Sequence, residues 1–196
     1  MTEDSGKSWV ILAVSLVIVA AVFASFFFLG KGSAKLVYNG FEFVNAEGVW
    51  RTEWERDGQI YILDFRFNPW QVEDVPVEGN TDRRFQFETL YLTIDPSEQR
   101  TPETAYTALA AVDLSRKLTD PFERNVIAAC TRNETAECAS RPIATCENTN
   151  SSVIYLRQAG ETKVLLEGNC AIIQGSGEEI VRAAEKAIFQ WLGIMN

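Results

Sequence analysis

Residues 49–67, VWRTEWERDGQIYILDFRF, read as two strands folded back on a single turn. Asp57-Gly58 favours a two-residue type I′ hairpin, because both central residues of that turn need positive φ. Before the turn Trp50, Thr52 and Trp54 fall on one side. After it Tyr61, Leu63, Phe65 and Phe67 share one face by period-two alternation. Upstream, Phe41-Glu42-Phe43-Val44 alternates and Asn45-Ala46-Glu47-Gly48 has turn chemistry, so an antiparallel meander is predicted from about residue 41 to 67.

Toward the C-terminus the pattern changes. Asn68-Pro69-Trp70 breaks the strand, and residues 71–84, with Pro76 and several acids, lack apolar periodicity and read as an exposed loop. Leu90-Tyr91-Leu92-Thr93-Ile94 is a nearly continuous apolar run, which suits a central strand covered on both faces. After Asp95-Pro96, the triplet Thr101-Pro102-Glu103 supplies an N-cap, a first-turn proline and a first-turn acid. The helix that follows runs to about Lys117 and places Tyr106, Ala110 and Leu114 beside Leu109. Residues 125–129 suit another strand. Residues 131–152 are polar, bear cysteines and read as a long loop. Residues 153–157 and 162–167, joined around Ala159-Gly160, predict a second hairpin, followed by a buried strand at Cys170-Ala171-Ile172-Ile173. Gly175-Ser176-Gly177 turns into a final helix with an apolar stripe of Ile180, Ala184, Ala187, Ile188 and Trp191; Glu178 and Glu179 lie at its positive end, and Gly193 fits its C-cap. The class is α+β: a mixed, largely antiparallel sheet with two helices packed on one face, occupying residues 37–196 as one domain.

Toward the N-terminus, residues 9–29 are apolar except for Ser15 and Ser25. About 20 such residues cross a hydrocarbon core about 30 Å thick. The expected order is a short cytoplasmic tail (1–8), a transmembrane helix (9–29) with Trp9 at the interface, and a tether (30–36). A cleaved signal peptide, with sites after Ala24 or Ala34, is the alternative; the length of the run and its Phe26-Phe27-Phe28 end favour an uncleaved anchor. Lys7 and the terminal amine on one side, against Lys31 and Lys35 on the other, give no charge bias. The sequons at Asn133 and Asn150 and the clustered cysteines Cys130, Cys138, Cys146 and Cys170 instead place the domain outside the cytoplasm, as glycosylation candidates and disulfide candidates respectively. Four cysteines allow three pairings. Short loop closure favours Cys130 with Cys138 and Cys146 with Cys170, and the irregular spacing disfavours zinc.

The net charge is −9, and −8 beyond Gly30, which argues against nucleic acid as a partner. The chain contains no histidine, so Ser-His-Asp and Cys-His catalysis and histidine-bearing zinc sites are excluded. No catalytic, cofactor or metal residue is assigned. Glu73 with Asp74, and Asp64 near Arg66, are acid groupings that no spacing singles out. Gly175-x-Gly177 lacks the lysine and third glycine of a phosphate loop. Trp50, Trp54, Trp70 and Phe67 suit a meander core more readily than a ligand groove.

At Tyr38-Asn39-Gly40-Phe41, Phe65-Arg66-Phe67-Asn68-Pro69 with Val72-Glu73-Asp74, and Cys170-Ala171-Ile172-Ile173-Gln174-Gly175 with Leu192-Gly193-Ile194-Met195, the chain resembles a group of uncharacterised archaeal single-pass membrane proteins. The resemblance implies a shared fold and location and transfers no site residue. The functional expectation is a non-enzymatic cell-envelope module. It is tethered to the lipid bilayer and binds an envelope protein or polymer through residues 68–84 or the cysteine loop. A subunit of a larger membrane complex, packing through Ala20-Ala21 and Ala24-Ser25, and a carboxylate-dependent extracytoplasmic hydrolase are the alternatives.

Overall fold

The computed structural model describes residues 4–29, 34–98 and 103–195; within the first stretch, side chains are described for 9–22. The chain divides into two compact units, 1–34 and 35–196. Among its described residues the first holds one helix, α1 (Asp4–Leu29). Its side chains from Trp9 to Val22 are all exposed, although nearly all are apolar. Ser15 directs its hydroxyl back to the carbonyl of Leu12 at 2.9 Å, which satisfies the donor within the helix. The expected span over 9–29 is not met among the described residues, where no helix is long and apolar enough to cross a membrane. Side chains 23–29, including Ala24 and Ser25, and tether residues 30–33 lie outside the described residues.

The second unit holds two sheets, where the sequence suggested one. The first is a meander of β1 (Lys35–Tyr38), β2 (Phe41–Ala46), β3 (Val49–Arg56) and β4 (Gln59–Phe65), paired in that order and wholly antiparallel. Its three turns, Asn39-Gly40, Glu47-Gly48 and Asp57-Gly58, each carry positive φ at both residues, as type I′ geometry requires. Asp57-Gly58 sets the expected register, with Arg56 opposite Gln59 and Trp50 opposite Phe65. Phe43, Thr52 and Leu63 are cross-strand neighbours facing the core, while Ile60 and Ile62 face outward.

The second sheet has six strands: β5 (Val77–Thr81), β6 (Thr89–Ile94), β7 (Asn125–Cys130), β8 (Ser152–Gln158), β9 (Lys163–Gly168) and β10 (Cys170–Gly175). Their order is β5-β9-β10-β8-β6-β7. Only β9 with β10 is antiparallel; the other four pairings are parallel. With the three pairs of the meander, antiparallel and parallel pairings are equal in number, so the fold is mixed rather than largely antiparallel. The expected hairpin of 153–157 with 162–167 does not form. β10 lies between those segments, because β9 turns at Gly168-Asn169 to pair with β10, and the buried run at Val153, Ile154 and Leu156 takes an interior place beside it.

Residues 71–84 are folded, contrary to the exposed loop expected. They carry the second half of α2 (Pro69–Val72), all of β5 (Val77–Thr81) and the start of a 3₁₀ turn, Arg83–Gln86, with Val72 and Val75 buried and Phe85 buried just beyond them. Asn68 and Gln71 cap α2 reciprocally. Elements this short contain too few apolar residues to show a period.

Two long helices, α3 (Thr104–Thr119) and α4 (Glu178–Trp191), pack on each other. The cap expected at 101 and 102 lies outside the described residues. α4 packs on β10, β9 and β8, and its Phe189 ring meets Phe43 at 5.8 Å and Phe65 at 4.3 Å in the meander. Trp54 donates to the carbonyl of Leu192 at 2.9 Å, and Asn39 to that of Ile194 at 2.9 Å. The helices therefore lie between the two sheets, and the hydrophobic core is continuous across all three layers. Gly175 is required at the entry to α4, since a Cβ there would sit 2.7 Å from the backbone of Glu179 and of Ile180.

Candidate binding cleft

β6 leads through α3 to β7 on one side, and the chain then returns to β8 on the other side of β6. In sheets with parallel strands, such a reversal opens a crevice beyond the strand C-termini. Here its walls are α3 and loop 131–151, which has no regular element of its own. The loop is held from several points. Cys130 is disulfide-bonded to Cys138, and Cys146 to Cys170, the pairing that short loop closure favours. The Cys130 N–H donates to the Pro142 carbonyl at 3.1 Å, and the Ala144 N–H to the Cys130 carbonyl at 3.0 Å, which makes a parallel bridge between Cys130 and Ile143. Thr93 Oγ1 donates to the Ala144 carbonyl at 2.8 Å, and Asn169 Nδ2 to the carbonyls of Thr149 and Ser151. Two disulfides of this kind persist in oxidising compartments.

Between α3 and this loop lies a cleft of about 760 Å³. Leu92, Ile94 and Ala128 contribute from the sheet, Ala108 and Val112 from α3, and Thr135 from the loop. Alanines at 105, 108 and 111 keep the helix wall short, and this leaves the space open. Asp95 and Glu98 line the same cleft. Partial burial pushes the Asp95 carboxyl up, but hydrogen bonds from the Ser97 N–H (2.8 Å) and hydroxyl (2.7 Å) and the Arg132 guanidinium (3.0 Å) outweigh it and hold the group below the usual carboxylate range. Glu98 moves the other way. Burial raises it, partly offset by the Gln158 N–H at 2.9 Å, and the Asp95 charge adds to the rise. Burial, with Glu98 and Asp95 close by, pushes the Tyr155 phenol up to about 12. The side chains of Gln158 and Thr107 are hydrogen-bonded, as are those of Arg157 and Gln174.

The other residues singled out from the sequence are scattered. Asn133 and Asn150 are both exposed on the disulfide loop. Glu73 accepts from the Tyr38 hydroxyl at 3.3 Å, while Asp74 pairs with Arg182. Asp64 pairs with Arg51, and Arg66 with Asp113. Trp50, Trp54 and Phe67 pack against the core, and Trp70 sits edge-on to Tyr38, so these aromatics form no groove. Among the described residues, no three His, Cys, Asp or Glu side chains are grouped to hold a metal ion. Of the two surfaces expected to bind, the cysteine loop borders the cleft and residues 68–84 do not.

Two buried charged side chains escaped the sequence reading. Glu185 on α4 is fully buried and accepts from the Arg66 and Phe67 N–H groups, at 2.8 Å each. Burial pushes its carboxyl up to about 7, against the pull of nearby Lys117 and of those N–H groups. Lys117 of α3 is also buried, with its Nζ 4.7 Å from the Phe65 ring centroid; burial lowers its pKa, against the opposing pull of Glu185 and Asp113. The available signal was a charge inside each apolar stripe, Glu185 beside Ala184 and Lys117 beside Leu118. Comparison with family models, with curated proteins and with solved structures finds no match.

Proposed function

We propose that this chain is a membrane-anchored, extracytoplasmic binding module that holds a partner from the cell envelope in the cleft between α3 and the disulfide loop. The cleft carries this reading: its volume falls in the usual range for binding sites, apolar side chains of the sheet and of α3 line it, and the charged groups Asp95, Glu98, Arg116 and Arg141 border it. Anchoring is supported by the continuous helix α1, whose described side chains, 9–22, are exposed and, Ser15 apart, apolar. The extracytoplasmic side is supported by the two disulfides. The test places a photo-crosslinking residue at Val112, in the cleft, or at Ile62, on the outer face of the meander, in the full chain in native membranes. A discrete adduct from position 112 and none from 62 is expected. No adduct from 112 overturns the reading.

A second reading rests on Asp95 and Glu98, two cleft carboxylates whose acidities are pushed apart, as in an acid and base pair. Asp95 Oδ1 accepts from the Ser97 N–H and hydroxyl within its own turn, and Oδ2 accepts from Arg132 of the disulfide loop, so both oxygens are already engaged, which favours binding over hydrolysis. Glu98→Gln separates the two, since a hydrolase loses turnover while a binding module keeps its adduct at position 112.

A further inference from the structure

β7 is the last strand of its sheet, and its outer edge is bridged at its C-terminal residue, Cys130, to Ile143. Along this strand the backbone groups alternate in direction. The N–H groups of Asn125 and Thr131 turn inward, to the carbonyls of Glu88 and Ile94. Cys130 turns outward and is met by Pro142 and Ala144. By the same alternation, Val126 and Ala128 turn their N–H and carbonyl groups outward. Those groups have no partner among the described residues, and Ala128 is exposed and lines the cleft. Residues 142–144 thus begin a seventh strand that stops after one bridge.

We propose that an extended peptide segment of the partner continues this pairing, adding to the β7 edge as a strand and placing every second side chain in the cleft. The inference rests on the cleft reading and names its ligand class. The existing bridge to Ile143 shows that the edge accepts a strand at this position, and no proline, lysine or bulge protects Val126 and Ala128. Backbone pairing would supply affinity, and the alanine wall of α3 would select small or apolar residues at alternate positions of the peptide.

A random dodecapeptide phage library, panned on the full chain in lipid nanodiscs, tests the proposal. The recovered peptide is then synthesised with and without N-methylation at alternate residues. Binding is measured to the unaltered chain, to Ala108→Trp, which fills the cleft, and to Ala128→Pro, which removes an outward donor. Recovered sequences with a two-residue apolar period are expected. N-methylation and Ala128→Pro should each weaken binding at least about tenfold, as expected when a pairing hydrogen bond to a desolvated group is lost, and Ala108→Trp should do so by taking the space of the peptide's inward side chains. The N-methylated peptide keeps the test valid if Ala128→Pro disturbs the fold. Binding that Ala108→Trp abolishes but N-methylation leaves unchanged overturns strand addition and leaves the cleft reading intact. Recovery of no peptide above a protein-free nanodisc overturns the peptide assignment, and the adduct at position 112 then decides the cleft reading separately.

Discussion

Glu185 makes stability depend on pH in the direction opposite to that of an ordinary paired carboxylate. Its carboxyl has a pKa of about 7 in the folded chain and an ordinary value of 4.5 when exposed. The folded state therefore holds the proton more tightly. The group's contribution is fully present below pH 4.5 and is lost as pH rises through 7. The difference of about 2.5 pH units corresponds to roughly 3 kcal/mol at about 1.4 kcal/mol per unit. The charged groups facing it are Lys117 and Asp113 of α3, and the Arg66 and Phe67 N–H groups fix the carboxylate where strand β4 ends. Glu185→Gln removes the titration while leaving one acceptor oxygen. It also turns an amide donor toward a backbone N–H, a penalty of about 1 to 3 kcal/mol that does not vary with pH. Urea unfolding followed by tryptophan fluorescence, with disulfides intact, is run on both chains from pH 4.5 to 8.5. Subtracting the variant curve cancels other titrating groups, Asp95 among them. The wild-type advantage over the variant should shrink by roughly 3 kcal/mol across that range. A difference constant to within about 0.5 kcal/mol would refute the account of Glu185, since additive, independent sites agree within that margin.

Gly175→Ala should destabilise the domain by more than about 2 kcal/mol, because its Cβ meets backbone on α4 that cannot yield; equilibrium unfolding reads this, and a loss below about 0.5 kcal/mol would refute the close approach. Replacing Cys146 and Cys170 together by alanine should lower stability by about 2 to 4 kcal/mol and raise amide exchange in loop 131–151 while sparing the meander. Uniform exchange in both would show that the crosslink is not specific to the loop.

The meander could be read in advance because its information is local. Asp57-Gly58 fixes a turn, and the turn fixes the register of Trp50 against Phe65. β1 carried the same signal in Asn39-Gly40 and could have been found from it. α4 was visible from its apolar stripe, and the cysteine pairing from loop length. The cleft was not legible, since its walls come from Leu92, Ala108, Ala128 and Thr135, which are brought together only by the crossover through α3 and the return of the loop.

What the sequence by itself determined, then, are the hairpin turns, the helices, the apolar N-terminal run and the crosslinked loop, each set by φ preference, periodicity or chain length over a few residues. Only the tertiary structure decided that β10 lies between β8 and β9, that two sheets enclose the helices, that Glu185 and Lys117 are both buried in the core, and that Val126 and Ala128 remain an open edge. Strand order and shared burial depend on contacts between residues far apart in the chain, and an apolar run such as Val153-Ile154 shows that it will be buried without showing which strands will flank it.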